Sequence, residues 1–433
     1  MVLIIIMLWL KFQKKKQPLH LQTYFFKGFY LRAFGTLVIS LITEFYYKYG
    51  DTYHFYYNTV ALRSLFVKDP GAWFKVLFSD PLSGNNSVNK YFDIVADYGI
   101  YTTSIFKSHE NASLSKIASI FNIICFDSYL GVALFFGLLS FLGCWYIFKT
   151  FVHIFPGYEK QFAIFCLYIP SPWFWGCGIL KDPVCVYALG ILIYNFFVKE
   201  NSLIKRIFFI SLGAFLLFQI KTYILYAFGI ALPVGWFLFK FKSFSISVKI
   251  ISIIIFFGAL AASYSSIANA ITESMNDIIA DSQKYLELYS QNKAEGDSTI
   301  IPTLDPSPFG FFKFCLEGLM TVYMKPFPWQ LNKVLYLFVT LENLLIYYII
   351  FMKIKIAPLK LKKNSTLFTY FCVVFAIVFG IIVGVNAFNL GTISRYRVPG
   401  LPFLFAGVFC LKLLKRNRLA KKNGLLNKYT VTT

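Results

Sequence analysis

Apolar residues recur along this chain in runs long enough to cross a bilayer, which takes about 20 mostly apolar residues at about 1.5 Å each. Such runs lie near residues 28–47, 125–148, 159–175, 182–198, 205–220, 222–240, 248–267, 333–352, 366–386 and 399–414. The opening run from Val2 to Leu10 is too short to span and lacks a signal peptide's basic start and cleavage site, so it reads as a short retained first helix or the result of a start placed too late. Two long polar segments interrupt the series. Lys48 to Ile124 is studded with aromatic residues and turn signals, and reads as short helices with rings at headgroup depth. Ala268 to Asn332 holds an acidic helical stretch from Glu273 to Asp297, a break at Pro302, Pro306 and Pro308, and an apolar stretch to Met324 with Lys313 and Glu317 at helical spacing. The pattern predicts an all-α, polytopic transmembrane helical bundle of about 10–11 spans. Its two long outer-face loops, 48–124 and 268–332, carry interfacial helices, and residues 1–433 form a single membrane domain.

Charge orients this bundle. Of 433 residues only 14% are charged, yet Lys and Arg outnumber Asp and Glu by 42 to 20. Cytoplasmic loops carry the Lys and Arg excess of a membrane protein. With Lys14, Lys15 and Lys16 inside and the spans alternating, the clusters Lys199–Arg206, Lys353–Lys363 and Lys412–Lys428 all fall inside, where Glu159 and Glu200 are the acids. The outer loops balance. The net charge of +22 therefore marks topology rather than a nucleic-acid surface, and a composition 58% hydrophobic excludes disorder. The eight cysteines form no Cys-x-x-Cys pair, and the four histidines are scattered, so neither points to a metal or haem centre.

Polar groups at the outer ends of helices are the candidate chemistry, since charge in or beside a span is expensive. Asp51 and His54 follow the early helix after Gly50; a solvated loop acid competes with a functional one. Lys181 and Asp182 close a Pro- and Gly-rich hairpin from Pro170 to Pro183, where a plain tight turn explains the prolines and glycines better than the charges. Lys221 sits between two closely spaced spans, either as a ligand contact or as a lysine reaching the interface. Arg395 and Arg397 oppose the inside bias of basic residues. The fork of an arginine suits phosphate, and pairing with lipid headgroups is the alternative.

Three of these segments resemble the GT-C superfamily of polytopic glycosyltransferases, particularly the bacterial relatives of protein O-mannosyltransferases and the lipid A aminoarabinose transferase. They are Gly50-Asp51 opening a long outer loop, Pro170-Ser171 followed by a turn and the pair Lys181-Asp182, and a late helix beginning Arg395-Tyr396-Arg397-Val398-Pro399-Gly400-Leu401-Pro402. The resemblance implies that Asp51 is the catalytic base and that Lys181, Arg395 and Arg397 contact phosphate. It also implies sugar transfer from a polyprenyl-phosphate-linked donor to a glycan, lipid or protein acceptor. The familiar Asp-Glu pair is absent, because Thr52 follows Asp51. Some members depend on a divalent metal; the residues here establish no metal site, so no cofactor is assigned and a metal is left open.

The resulting expectation is a multi-pass glycosyltransferase of the cytoplasmic (inner) membrane, with its active site facing the periplasm or outside. Asp51 would act as base, and His54, Lys181, Asp182, Lys221, Arg395 and Arg397 would bind substrate among membrane lipid, with no nucleic acid involved. A polysaccharide polymerase or ligase using polyprenyl-diphosphate-linked glycans, a lipid or glycan transporter, and a non-catalytic subunit of a surface-assembly complex are the competing readings.

Overall fold

A computed structural model describes residues 2–47, 51–79, 108–241, 308–330, 334–351, 364–386 and 390–422, together with 245, 247, 361 and 362. The expected span at 248–267 and the acidic stretch 273–297 lie outside the described residues. Every regular element among the described residues is helical. The protein is a helical membrane bundle, and among the described residues five helices are long and apolar enough to cross a membrane: Leu19–Tyr46, Tyr129–Ile154, Leu203–Ile220, Thr222–Phe241 and Ser365–Gly384. The chain divides into two compact units, Met1–Leu225 and Tyr226–Thr433, each described by itself.

In the first unit, α1 (Val2–Lys15) leads through Pro18 into α2 (Leu19–Ile42), which ends in a π turn at Thr43–Tyr47. The described parts of the first polar segment are helical, as the pattern predicts: α3 (Asp51–Lys68), α4 (Pro70–Phe78) and α5 (His109–Cys125). Asp69 starts α4 by accepting a hydrogen bond from the Ala72 amide at 2.9 Å, with Pro70 at the first helical position. These three helices share a small apolar core of Ala61, Leu62, Leu65, Ala72, Trp73, Val76 and Ala112. The turn from α5 into α6 (Tyr129–Ile154) puts two non-glycine residues, Phe126 and Asp127, at φ of 50° and 59°. Each such residue costs on the order of 1–2 kcal/mol. The Asp127 carboxylate offsets this by pairing with Arg63 on α3 and accepting a hydrogen bond from Asn122 at 2.7 Å.

The chain then runs through α7 (Glu159–Ala163), a π turn at Ile164–Tyr168 and α8 (Pro170–Phe174), so the expected span at 159–175 is broken into short pieces. Pro170 and Pro172 supply no backbone N–H, which stops a continuous helix there. Next come α9 (Lys181–Phe197), α10 (Leu203–Ile220) and α11 (Thr222–Phe241), which continues into the second unit.

Helix α6 is the axis of this unit. It meets α9 backbone to backbone: a Cβ on Gly190 would lie 2.3 Å from the Gly143 carbonyl oxygen, and one on Gly143 would lie 2.3 Å from that of Val186. Between membrane helices there is little hydrophobic driving force, so close approach over small residues supplies the association. Phe25 and Phe29 of α2 pack edge-on against Phe141 and Trp145 of α6, with Phe25 and Trp145 centroids 4.9 Å apart.

The second unit holds α12 (Pro308–Met324), α13 (Val334–Phe351), α14 (Ser365–Asn386), α15 (Leu390–Tyr396) and α16 (Leu401–Lys422). The expected pair on α12 forms, with Lys313 Nζ 3.9 Å from Glu317 Oε1. Phe368, Phe371, Phe375 and Phe379 stack along one face of α14, and Phe403 of α16 closes against Phe375 at 4.8 Å. The expected late helix begins at Leu401 rather than at Arg395. Arg395 and Tyr396 instead end α15, because Pro399 has no amide with which to continue the helix.

The glycine crossing gives a direct test. Gly190→Leu is expected to lower the thermal midpoint of the purified protein, since overpacking costs about 1–3 kcal/mol and here meets backbone. Gly229→Ala, where an added Cβ meets nothing within 4 Å, is expected to leave the midpoint unchanged or raise it. Equal midpoints for wild type and Gly190→Leu would contradict the crossing.

Candidate functional site

At one end of the first unit the structure brings together residues from three helices. Asp182 lies in the first turn of α9, where the helix dipole favours a carboxylate. Lys221 terminates α10 with its amide bonded to the Leu217 carbonyl at 2.9 Å. Their side chains meet with Lys221 Nζ 2.6 Å from Asp182 Oδ1, 3% and 1% exposed. Beside this buried pair, Lys181 Nζ reaches Glu110 Oε2 of α5 at 2.8 Å, and here the acid is half exposed. His109 Nε2 lies 2.5 Å from Gln219 Oε1 of α10. The first turn of α5 is thereby pinned to the ends of α9 and α10.

The hairpin before α9 makes this placement achievable. Gly178 sits at φ +83°, a conformation that only glycine adopts at no cost, and it reverses the chain between α8 and α9. Lys181 and Asp182 then diverge. Adjacent residues of a helix do not face each other, so one reaches toward α5 and the other toward α10.

Asp51 and His54 stand in the first turn of α3, Asp51 exposed and His54 half-buried. The neighbouring Tyr53 hydroxyl donates to Glu44, and burial followed by that carboxylate pushes the phenol above its usual range. In the second unit Arg397 is fully buried. Its Nη2 lies 2.6 Å from Glu342 Oε1 of α13, and its Nη1 donates to Asn343 Oδ1 at 2.6 Å and to the Val322 carbonyl at 3.4 Å. Its fork is thus engaged within the protein. Arg395 is half-buried, its guanidinium 5.3 Å from the centre of the Tyr396 ring.

The opposite end of the first unit has its own polar cluster. Lys149 of α6 donates to the Tyr194 hydroxyl at 2.9 Å, Tyr194 donates to Glu200 at 2.5 Å, and His153 Nδ1 lies 3.2 Å from the same carboxylate. Burial raises the Glu200 pKa, but the Tyr194 hydrogen bond and the charges of Lys149 and His153 outweigh it and leave the group below its ordinary value.

Three partners were not singled out from sequence. Glu110 sits among polar residues that offer no contrast. Glu342 does stand out as an acid in an apolar run, the signal that usually marks a functional or paired charge. Arg32 carries the same signal in α2: it is 1% exposed, with Nη1 3.1 Å from the Leu167 carbonyl and Nη2 3.0 Å from Cys144 Sγ. The break at Pro170 leaves the last carbonyls of the preceding turn without helical donors, and Arg32 takes one of them. Among the described residues no three of His, Cys, Asp and Glu converge as a metal-binding group. Seven of the eight cysteines are buried, and none of the eight is in a disulfide.

Comparison with protein-family models, curated proteins and solved structures gives no match to this chain.

The buried pair predicts a pattern of stabilities. Lys221→Ala leaves a buried carboxylate without its partner and is expected to cost about 3–5 kcal/mol, whereas replacing both residues (Lys221→Met with Asp182→Leu) is expected to restore most of the loss. Thermal midpoints of the two variants measure this. A double variant no more stable than the single one would remove the pair's structural role.

Proposed function

We propose that the protein is an integral membrane glycosyltransferase that moves a sugar from a polyprenyl-phosphate donor to a glycan, lipid or protein acceptor at the outer face of the cytoplasmic membrane. The observation that carries this reading is the gathering of Lys181, Asp182, Lys221 and Glu110 at one end of the first unit, from helices far apart in sequence. Positive-inside alternation puts these same residues on the outer side. They add to the resemblance of three outer-face segments to GT-C enzymes.

In this reading the cations serve the leaving phosphate. A donor's glycosidic bond to phosphate breaks with negative charge accumulating on the phosphate oxygens, and a lysine or arginine held at low dielectric stabilises that charge. Lys181, on the half-exposed pair, is the phosphate contact in the first unit. Lys221 holds Asp182 and so fixes the start of α9. Asp51 takes the proton of the acceptor hydroxyl as the new glycosidic bond forms. Arg395 is assigned to phosphate on the resemblance, while Arg397 serves the fold through Glu342.

A buried Lys–Asp pair in a helical bundle is also a feature of proton-coupled carriers, which favours transport as the second reading. Reconstituted protein separates them. With polyprenyl-phosphate sugars as donors, covalent transfer is expected, and Asp51→Asn is expected to lower its rate by about 10²-fold or more. Lys181→Ala is expected to reduce it as well. Uptake of the donor into vesicles without covalent transfer would replace the enzyme with a carrier, and transfer only from diphosphate-linked oligosaccharides would make it a polymerase or ligase.

A further inference from the structure

The end of the first unit opposite Lys181 and Asp182 holds a groove that the proposed reaction does not use. It encloses about 400 Å³ and is lined by His20, Thr23, Tyr24, Lys27, Lys160, Ile164 and Tyr168. The lining comes from two helical faces. His20, Thr23, Tyr24 and Lys27 follow the i, i+3, i+4, i+7 spacing of one stripe of α2, and Lys160, Ile164 and Tyr168 follow i, i+4, i+8 along α7 and its π turn. π turns are rare and concentrate at functional sites. Phe148 of α6 supports the groove, its ring centre 5.7 Å from that of Tyr24.

The chemistry of this lining is cationic at the rim and donor-rich within. None of His20, Lys27 and Lys160 pairs with a carboxylate among the described residues; Glu159, next to Lys160, accepts instead from the Gly157 amide at 2.9 Å. Deeper in, the Tyr168 hydroxyl is shielded from solvent and has no hydrogen-bond partner. A buried hydroxyl without a partner costs about 1–3 kcal/mol unless a ligand or water meets it. Two lysines, an imidazole and an orphan hydroxyl around one cavity of this size suit a single phosphate group, whose oxygens accept from all of them.

The position identifies the source of that phosphate. The apolar run of α2 starts near residue 28, so a span of about 20 residues from there would leave residues 19–27 at headgroup depth. Lys14, Lys15 and Lys16 precede them, with Lys14 Nζ 5.0 Å from the Phe26 ring centre. Ile164 lines the groove and is 40% exposed, which offers an acyl chain an apolar wall. Basic pockets between membrane helices at such a depth bind anionic headgroups. We propose that this groove binds the phosphate of an anionic phospholipid from the leaflet at the N-terminal end of α2, the cytoplasmic leaflet by the distribution of basic residues.

The test uses full-length protein in nanodiscs of phosphatidylcholine, with and without phosphatidylglycerol, and compares the wild type with a Lys27→Gln, Lys160→Gln double variant and with Tyr168→Phe. Both lysines are exposed, so the double variant is expected to fold, with a wild-type midpoint in phosphatidylcholine. Phosphatidylglycerol is expected to raise the wild-type midpoint and to remain bound in native mass spectra. The double variant is expected to lose both effects, with apparent affinity falling about tenfold or more, and Tyr168→Phe to show a smaller loss. Equal response of wild type and double variant would overturn the proposal. So would full stabilisation by inorganic phosphate in phosphatidylcholine discs, which would assign the groove to a free anion.

Discussion

A charge carried into an apolar helical bundle has to find its partners inside the protein, because the surrounding lipid offers none. That constraint organises both units. Asp182 and Lys221 meet at the start of α9 and the end of α10, and Arg397 meets Glu342 across α15–α16 and α13, every one of these side chains at most 3% exposed. Each pair joins elements that hydrophobic contact alone would leave free to slide. A tight Leu-on-Leu face tolerates small shifts, whereas a buried ion pair loses its partner with them.

Within that constraint, glycine decides how close the helices come. The α6–α9 crossing over Gly143 and Gly190 brings backbones into contact and sets α9 at a fixed height. Lys181 and Asp182 at one end of α9, and Tyr194 at the other, then reach their partners from one rigid rod. The result is a first unit with two chemically different ends. One holds paired cations and carboxylates, and the other holds the Lys149, Tyr194 and Glu200 chain and the basic groove around Lys27 and Lys160. Helix ends that alternate across a membrane produce this separation without further design. The proposed transfer chemistry and the proposed lipid site thus lie at opposite ends of the first unit.

Much of this was legible in the sequence. Long apolar runs indicated helices and their approximate limits, because a lipid-spanning helix needs about 20 apolar residues. The helices α3, α4 and α5 in the first polar segment also matched their pattern. The partners were less legible. Lys181 and Asp182 read as one adjacent pair, yet successive helical positions point about 100° apart, so each found a different helix. Glu110 became the partner of Lys181, 71 positions away, through the packing of the first turn of α5 against the ends of α9 and α10. Arg32 resolved its charge without a carboxylate among the described residues, on a carbonyl exposed by the Pro170 break, which no local pattern announces. The run at 159–175 was long enough to suggest one span, but its two prolines divide it.

The most direct measurement of the two-ended bundle is sidedness. With Cys315, the half-buried native thiol, replaced by Ser, single cysteines at Glu110 and Lys205 would be treated with a membrane-impermeant maleimide in sealed right-side-out vesicles. Both positions are exposed. The account predicts labelling of the Glu110 position in intact vesicles and of the Lys205 position only after permeabilisation. Labelling of both from the same side would contradict it.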